Sequence, residues 1–113
     1  MNPDLVRIKH MIDACEEIIE FSKGTTKDDL FKDRKLNLAL VHLLEIIGEA
    51  GNKISIEFKH KYEHVPWNAL VGMRNRLIHG YYDIDLNIVW ETINRDIPPL
   101  VSKLKFIMEK ENA

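Results

Sequence analysis

Leu38-Ala39-Leu40-Val41-His42-Leu43-Leu44-Glu45-Ile46-Ile47-Gly48-Glu49-Ala50 is the most apolar stretch of the chain, and it reads as a helix that is greasy on most sides. His42, Glu45 and Glu49 interrupt it, and it is too short to span a bilayer. Such a helix has to be surrounded by others, which predicts the central element of a bundle. Gly48 and Gly51 weaken helix propensity there, so their small size implies close approach of another backbone. Asp33 is placed to cap this helix, which is expected to run from about Arg34 to the neighbourhood of Tyr62, with a bend near Ser55.

Reading outward, the same helical period holds on both sides. Asn2-Pro3 forms an N-cap and first-turn pair. Leu5, Ile8, Ile12, Cys15 and Ile19 follow at three- and four-residue steps, and Gly24 closes that helix in the left-handed conformation. Thr26 and Asp29 read as a capping-box variant for a short helix through Lys32. Downstream, Pro66-Trp67 opens a helix that closes near Gly80. Asp83 or Asp85 caps another containing Ile88, Val89, Trp90 and Ile93. Asp96-Ile97-Pro98-Pro99 either restarts a helix or kinks a continuous one, and Leu100, Leu104, Ile107 and Met108 give the last helix its stripe. No segment alternates as a strand. The expectation is an all-α antiparallel helical bundle in one domain, residues 1–113.

Composition narrows the function classes. The 113 residues are 45% apolar and 30% charged, an ordinary globular balance. One cysteine, Cys15, excludes an internal disulfide and suits a reducing cytosol; it falls on the apolar stripe and reads as an inert buried thiol. Asp4, Arg7 and Lys9 precede any apolar run, which argues against a signal peptide, so a cytoplasmic protein without a membrane span is expected. The formal charge of −2 argues against holding nucleic acid by bulk positive charge. Its distribution is uneven: residues 1–33 carry five Lys/Arg against eight Asp/Glu, whereas residues 51–80 carry five against two. The basic segment is also the one with the densest chemistry.

That chemistry lies in Met73-Arg74-Asn75-Arg76-Leu77-Ile78-His79-Gly80-Tyr81-Tyr82. Arginine offers a permanent, forked cation for phosphate oxygens, and histidine moves protons near neutral pH. Together they suit cleavage of an RNA phosphodiester, in which the adjacent 2′-hydroxyl is the nucleophile. Arg74 would stabilise charge on the phosphoryl oxygens, His79 would exchange a proton with the 2′-hydroxyl or the leaving 5′-oxygen, and Asn75 would bind phosphate or orient His79. Residues five apart lie about 140° round a helix. Arg74 must therefore reach round, the helix end must distort, or a second subunit must complete the site. The alternative is that Arg74 and Arg76 are solvated surface cations and His79 merely ends a helix.

Arg74-Asn75-(three residues)-His79-Gly80-Tyr81 resembles the R-x4-H-x-Y signature of the HepT-like branch of the HEPN ribonucleases. Leu44-Glu45-Ile46-Ile47-Gly48-Glu49-Ala50, Val65-Pro66-Trp67 and Asp85-Leu86-Asn87-Ile88-Val89-Trp90 look like that family's other segments, in the same order, so the resemblance covers nearly the whole chain. It implies a HEPN-type bundle of about four to six helices, homodimeric, with paired motifs facing each other across a cleft. It also implies a prokaryotic toxin that cuts RNA (tRNA or mRNA) without a cofactor, and an MntA-like nucleotidyltransferase as antitoxin, which silences the nuclease by transferring AMP to Tyr81. Tyr82 is the neighbouring acceptor outside the motif. A rival reading keeps the same bundle as a weak or inactive binding subunit of the nucleotidyltransferase, and a third makes it a generic helical adaptor.

His42, Glu45, Glu49 and Lys53 form a polar stripe on the central helix. Either it lines the cleft and positions Arg74 through Glu45 or Glu49, or it faces solvent or the subunit boundary. A carboxylate metal site would want a matching set on another helix, and none is visible. His60 and His64 have metal-ligand spacing but straddle an expected helix end. Trp67, Trp90, Met73 and Leu77 read as core or dimer contacts rather than base-stacking platforms.

Overall fold

Local capping signals set most of the helix starts. In a computed structural model describing residues 2–79 and 83–113, with His79 described by its backbone, Asn2 accepts a hydrogen bond from the Asp4 amide at 2.8 Å and opens α1, Pro3–Ser22. Thr26 and Asp29 exchange both bonds of a capping box at the head of α2, Lys27–Lys32. Gly24, between the two helices, takes a left-handed φ of 75°. Asp33 caps α3, Arg34–Asn52, through the Leu36 amide at 3.1 Å.

Helix α3 is central, packing on α1 and on the two short helices α5, Trp67–Val71, and α6, Met73–Leu77. Leu40, Leu44 and Ile47 are fully enclosed, each contributing about 1.5–3 kcal/mol of burial. The expected close approach at Gly48 is present: a Cβ there would stand 3.0 Å from the Leu70 carbonyl oxygen. Gly51 is less constrained, since its Cβ would meet Met11 at 3.6 Å, an ordinary contact. Gly48→Ala should therefore lower stability by roughly 1–3 kcal/mol through overpacking, offset by about 1 kcal/mol of helix propensity. A urea titration reads this as a lower midpoint; an unchanged or higher midpoint would show that α5 yields freely.

Three expectations need correction. The central helix does not continue to Tyr62. It ends at Asn52, and a separate α4, Ile56–Lys61, follows. Ser55 caps α4 through the Phe58 amide, while the Asp4 carboxylate accepts from the Ser55 amide and hydroxyl at 2.8 and 2.7 Å. The expected bend is thus a full break, held by a residue 51 positions away.

The helix carrying Arg74 closes at Leu77, not near Gly80. The Leu77 carbonyl accepts from the Asp85 amide at 2.8 Å, and β-branched Ile78 turns extended (φ −120°, ψ 121°). A two-residue ladder results, β1 (Ile78–His79) against β2 (Asp83–Ile84), antiparallel, with Ile78 opposite Ile84 and His79 opposite Asp83. The sequence showed no strand, and two residues are too few to show alternation.

Asp85, rather than Asp83, caps α7, Leu86–Glu91, accepting from Asn87 and Ile88 amides. The chain then runs without a gap through a π-helical turn, Thr92–Asp96, into α8, Ile97–Glu111. Pro98 and Pro99 cannot donate to the carbonyls four residues back, and the Ile97 amide bonds Thr92 instead, five residues back. Counting abutting segments together (α5 with α6, α7 with α8), the helices of the described residues form six groups. Tyr62 and Lys61 both donate to Glu111, tying the end of α8 to α4. No helix among the described residues is long and apolar enough to cross a membrane.

Candidate functional site

Arg74 lies in the last turn of α6, on the side facing α3. Its Nε donates to Glu45 Oε2 at 3.3 Å. The Arg74 side chain is 67% exposed and that of Glu45 32%, so the pair contributes little to stability, about 0–1 kcal/mol. Its effect is orientation. The contact engages Nε, and among the described residues the two Nη groups make no hydrogen bond. Among these residues nothing competes with an incoming anion for them.

Two concavities flank that guanidinium, and Asn75 and Glu45 line both. One, about 520 Å³, is walled by His42, Ile78 and Ile84 in addition. The other, about 360 Å³, is reached by Gly48 and Glu49. A larger groove, about 730 Å³, lies between α1 and α3 and does not contain Arg74, but it shares His42, Glu45 and Glu49 with its neighbours. The polar stripe of α3 is therefore the common wall of three depressions. Glu45, not Glu49, is the carboxylate that holds Arg74.

The early end of α6 changes how His79 must be viewed. Arg74 belongs to a helix and His79 to the extended segment after it, so the angular separation expected on an ideal helix does not apply. The backbone of His79 adjoins Ile78, which lines the Arg74 concavity. The His79 imidazole, Gly80, Tyr81 and Tyr82 lie outside the described residues.

Other basic groups sort differently from their order in the sequence. Arg76 faces away from α3: its Nη2 donates to the Ala69 carbonyl at 3.1 Å, and it lines a separate concavity with Asp96 and Lys103. Lys61 pairs with Glu111 at 2.8 Å. Lys59 and His60 border a depression beside Trp67. The positive excess of residues 51–80 is thus spread over several faces rather than gathered around Arg74. The acidic N-terminal segment, in contrast, supplies Arg7 and His10 to the α1–α3 groove, where Lys53 joins them. Sequence reading passed over those two, although Pro3, Val6, Arg7 and His10 recur at helical spacing on one face.

His60 lies within α4 and His64 beyond it, so the pair does straddle a helix end. The His64 ring stands edge-on to Phe106, with centroids 5.7 Å apart. Trp67, Met73 and Leu77 are core residues; the Trp67 indole donates to the Tyr62 carbonyl at 2.9 Å, and Trp90 packs half-buried against the core. Cys15 is fully enclosed, and burial, with a smaller push from Glu16, raises its thiol to about 12. It is unreactive at neutral pH.

Residues 11–107 match the model of a family described as ribonuclease HepT-like. A protein of Caldanaerobacter subterraneus subsp. tengcongensis, named as a candidate RNase, is 43% identical over 104 residues, covering 92% of this chain and 93% of its own. A protein of Thermococcus cleftensis named probable ribonuclease HepT is 36% identical over 98 residues, 87% of this chain and 89% of its own. A protein of Methanocaldococcus jannaschii, named for gamma-glutamylcyclotransferase and candidate RNase functions, is 38% identical over 105 residues, 93% of this chain but 47% of its own. No solved structure matches.

Proposed function

Because the chain belongs to the HepT-like ribonuclease family, we propose that it is a metal-independent endoribonuclease, the toxin of a pair whose other member is an MntA-like nucleotidyltransferase. The observation that carries this reading is the Arg74 guanidinium. It is anchored at Nε by Glu45 and stands in an open concavity with Asn75, whose wall includes Ile78, the residue before His79.

In the proposed reaction the 2′-oxygen attacks the neighbouring phosphorus, the bond to the 5′-oxygen breaks, and a 2′,3′-cyclic phosphate and a 5′-hydroxyl result. The Nη groups of Arg74 stabilise charge on the phosphoryl oxygens. His79 carries one of the two proton transfers. Asn75 hydrogen-bonds the phosphate or the imidazole, and Glu49, across the second concavity, supports the site's polar wall. Two copies pair so that their motifs face one shared cleft. The apolar side chains of Leu38 and Val71, 44% and 38% exposed on the rims of the two concavities, support such a pairing. Transfer of AMP to Tyr81 places a bulky anion two residues from His79, repelling an RNA phosphate. The site of action is the prokaryotic cytoplasm, on tRNA or mRNA.

One experiment tests this reading. Unmodified protein incubated with total RNA in EDTA should give fragments with cyclic-phosphate ends. Protein co-expressed with its nucleotidyltransferase should carry one adenylyl group on Tyr81 and leave RNA intact. Intact RNA with unmodified protein would favour the binding-subunit reading, and an adenylyl group on Tyr82 would displace Tyr81.

A further inference from the structure

Cleavage by an internal 2′-hydroxyl needs two proton transfers: one from the attacking oxygen and one to the departing 5′-oxygen. In a concerted step the His79 imidazole of one copy can perform only one of them. We infer that His42 performs the other, an assignment that rests on the ribonuclease reading above. Among the described residues, His42 is the histidine that lines the concavity of Arg74 and Asn75. It sits three residues before Glu45 on α3, so the two share a face, and Glu45 is the residue that holds Arg74. The imidazole is exposed to solvent in that depression and opens also on the α1–α3 groove. Water can therefore restore its protonation state between turnovers. Among the described residues nothing else occupies it: unlike His64, it makes no ring contact there, and no hydrogen bond or ion pair.

The step balances with two imidazoles. A neutral ring takes the 2′-hydroxyl proton as the new P–O bond forms. A protonated ring gives its proton to the 5′-oxygen as the old P–O bond breaks with its electron pair. The first ring ends charged, the second neutral, and exchange with water resets both.

The test compares two substrates with wild type, His42→Ala and His79→Ala. One is a short RNA, whose 5′-alkoxide leaves poorly unless protonated. The other is a nucleoside 3′-(4-nitrophenyl phosphate), whose nitrophenolate leaves without a proton. On RNA, each variant is expected to lose roughly 10²–10⁴ in rate. On the aryl ester, one variant should recover to near the wild-type rate while the other stays impaired, and added imidazole should restore part of the RNA cleavage by His42→Ala. His42→Gln, which keeps a polar side chain of helix-compatible shape, should be as impaired as His42→Ala, with an unchanged circular-dichroism spectrum.

Wild-type rates from His42→Ala on RNA would overturn the assignment and leave the second transfer to another group, such as a second copy's His79. So would identical losses of both variants on both substrates without rescue by imidazole, the pattern of a positioning residue. Failure of the wild-type protein to cut either substrate sinks the ribonuclease reading itself, which is a distinct result.

Discussion

His79→Ala is expected to lower RNA cleavage roughly 10²–10⁴-fold, the usual contribution of a positioned proton-transfer group, while leaving the helical circular-dichroism spectrum unchanged. The selectivity of that effect follows from where residue 79 lies. It belongs to a two-residue ladder, and the ladder is made by backbone groups, which alanine retains. The neighbouring apolar pair, Ile78 opposite Ile84, is untouched, and so is the Leu77 carbonyl bond to the Asp85 amide. A denaturation midpoint close to wild type with a collapsed rate is therefore the expected pattern, read from one preparation by urea titration and a single-turnover RNA assay. Wild-type cleavage by His79→Ala would remove the histidine from the mechanism. A large fall in midpoint would mean that the residue supports the fold instead.

The reach of the sequence can be judged residue by residue. Asn2, Thr26 with Asp29, Asp33 and the left-handed Gly24 were all readable, because each acts within a few positions of itself. The central helix was readable from its apolar surface, and the contact at Gly48 from the absence of a side chain. What could not be read depends on partners distant in the chain. The break before α4 is held by Asp4, and the choice between Glu45 and Glu49 as the anchor of Arg74, which the sequence left open, is made by a contact across 29 positions. The end of α6 at Leu77 depends on the Asp85 amide. Charge counted along the chain misled for the same reason. Arg74 and Arg76 are neighbours in sequence, yet two steps along a helix turn about 200°, and they face different depressions. Arg7 and His10 come from the acidic segment and still reach the groove beside the site.

That divergence of two arginines allows a sharp comparison. Arg74→Ala should cost roughly 10²–10³ in rate, as loss of a donor to developing charge does, whereas Arg76→Ala should cut RNA at nearly the wild-type rate. Both replace a cation by the same residue two positions apart, so a general loss of positive charge predicts equal effects. Only a localised role predicts the difference. Arg74→Lys should fall between the extremes, because the ammonium keeps the charge but cannot present a planar fork. Glu45→Gln should lower the rate less than Arg74→Ala, since the guanidinium survives but loses its anchor. Combining Glu45→Gln with Arg74→Ala should then add little to the single arginine loss, the non-additivity expected when one residue acts through the other. Stability should barely respond in any of these variants, given an exposed pair of about 0–1 kcal/mol. Additive losses in the double variant would show that Glu45 acts independently of Arg74. A larger loss from Arg76→Ala than from Arg74→Ala would move the phosphate site to the opposite side of α6, and the proposal for this cleft would fall with it.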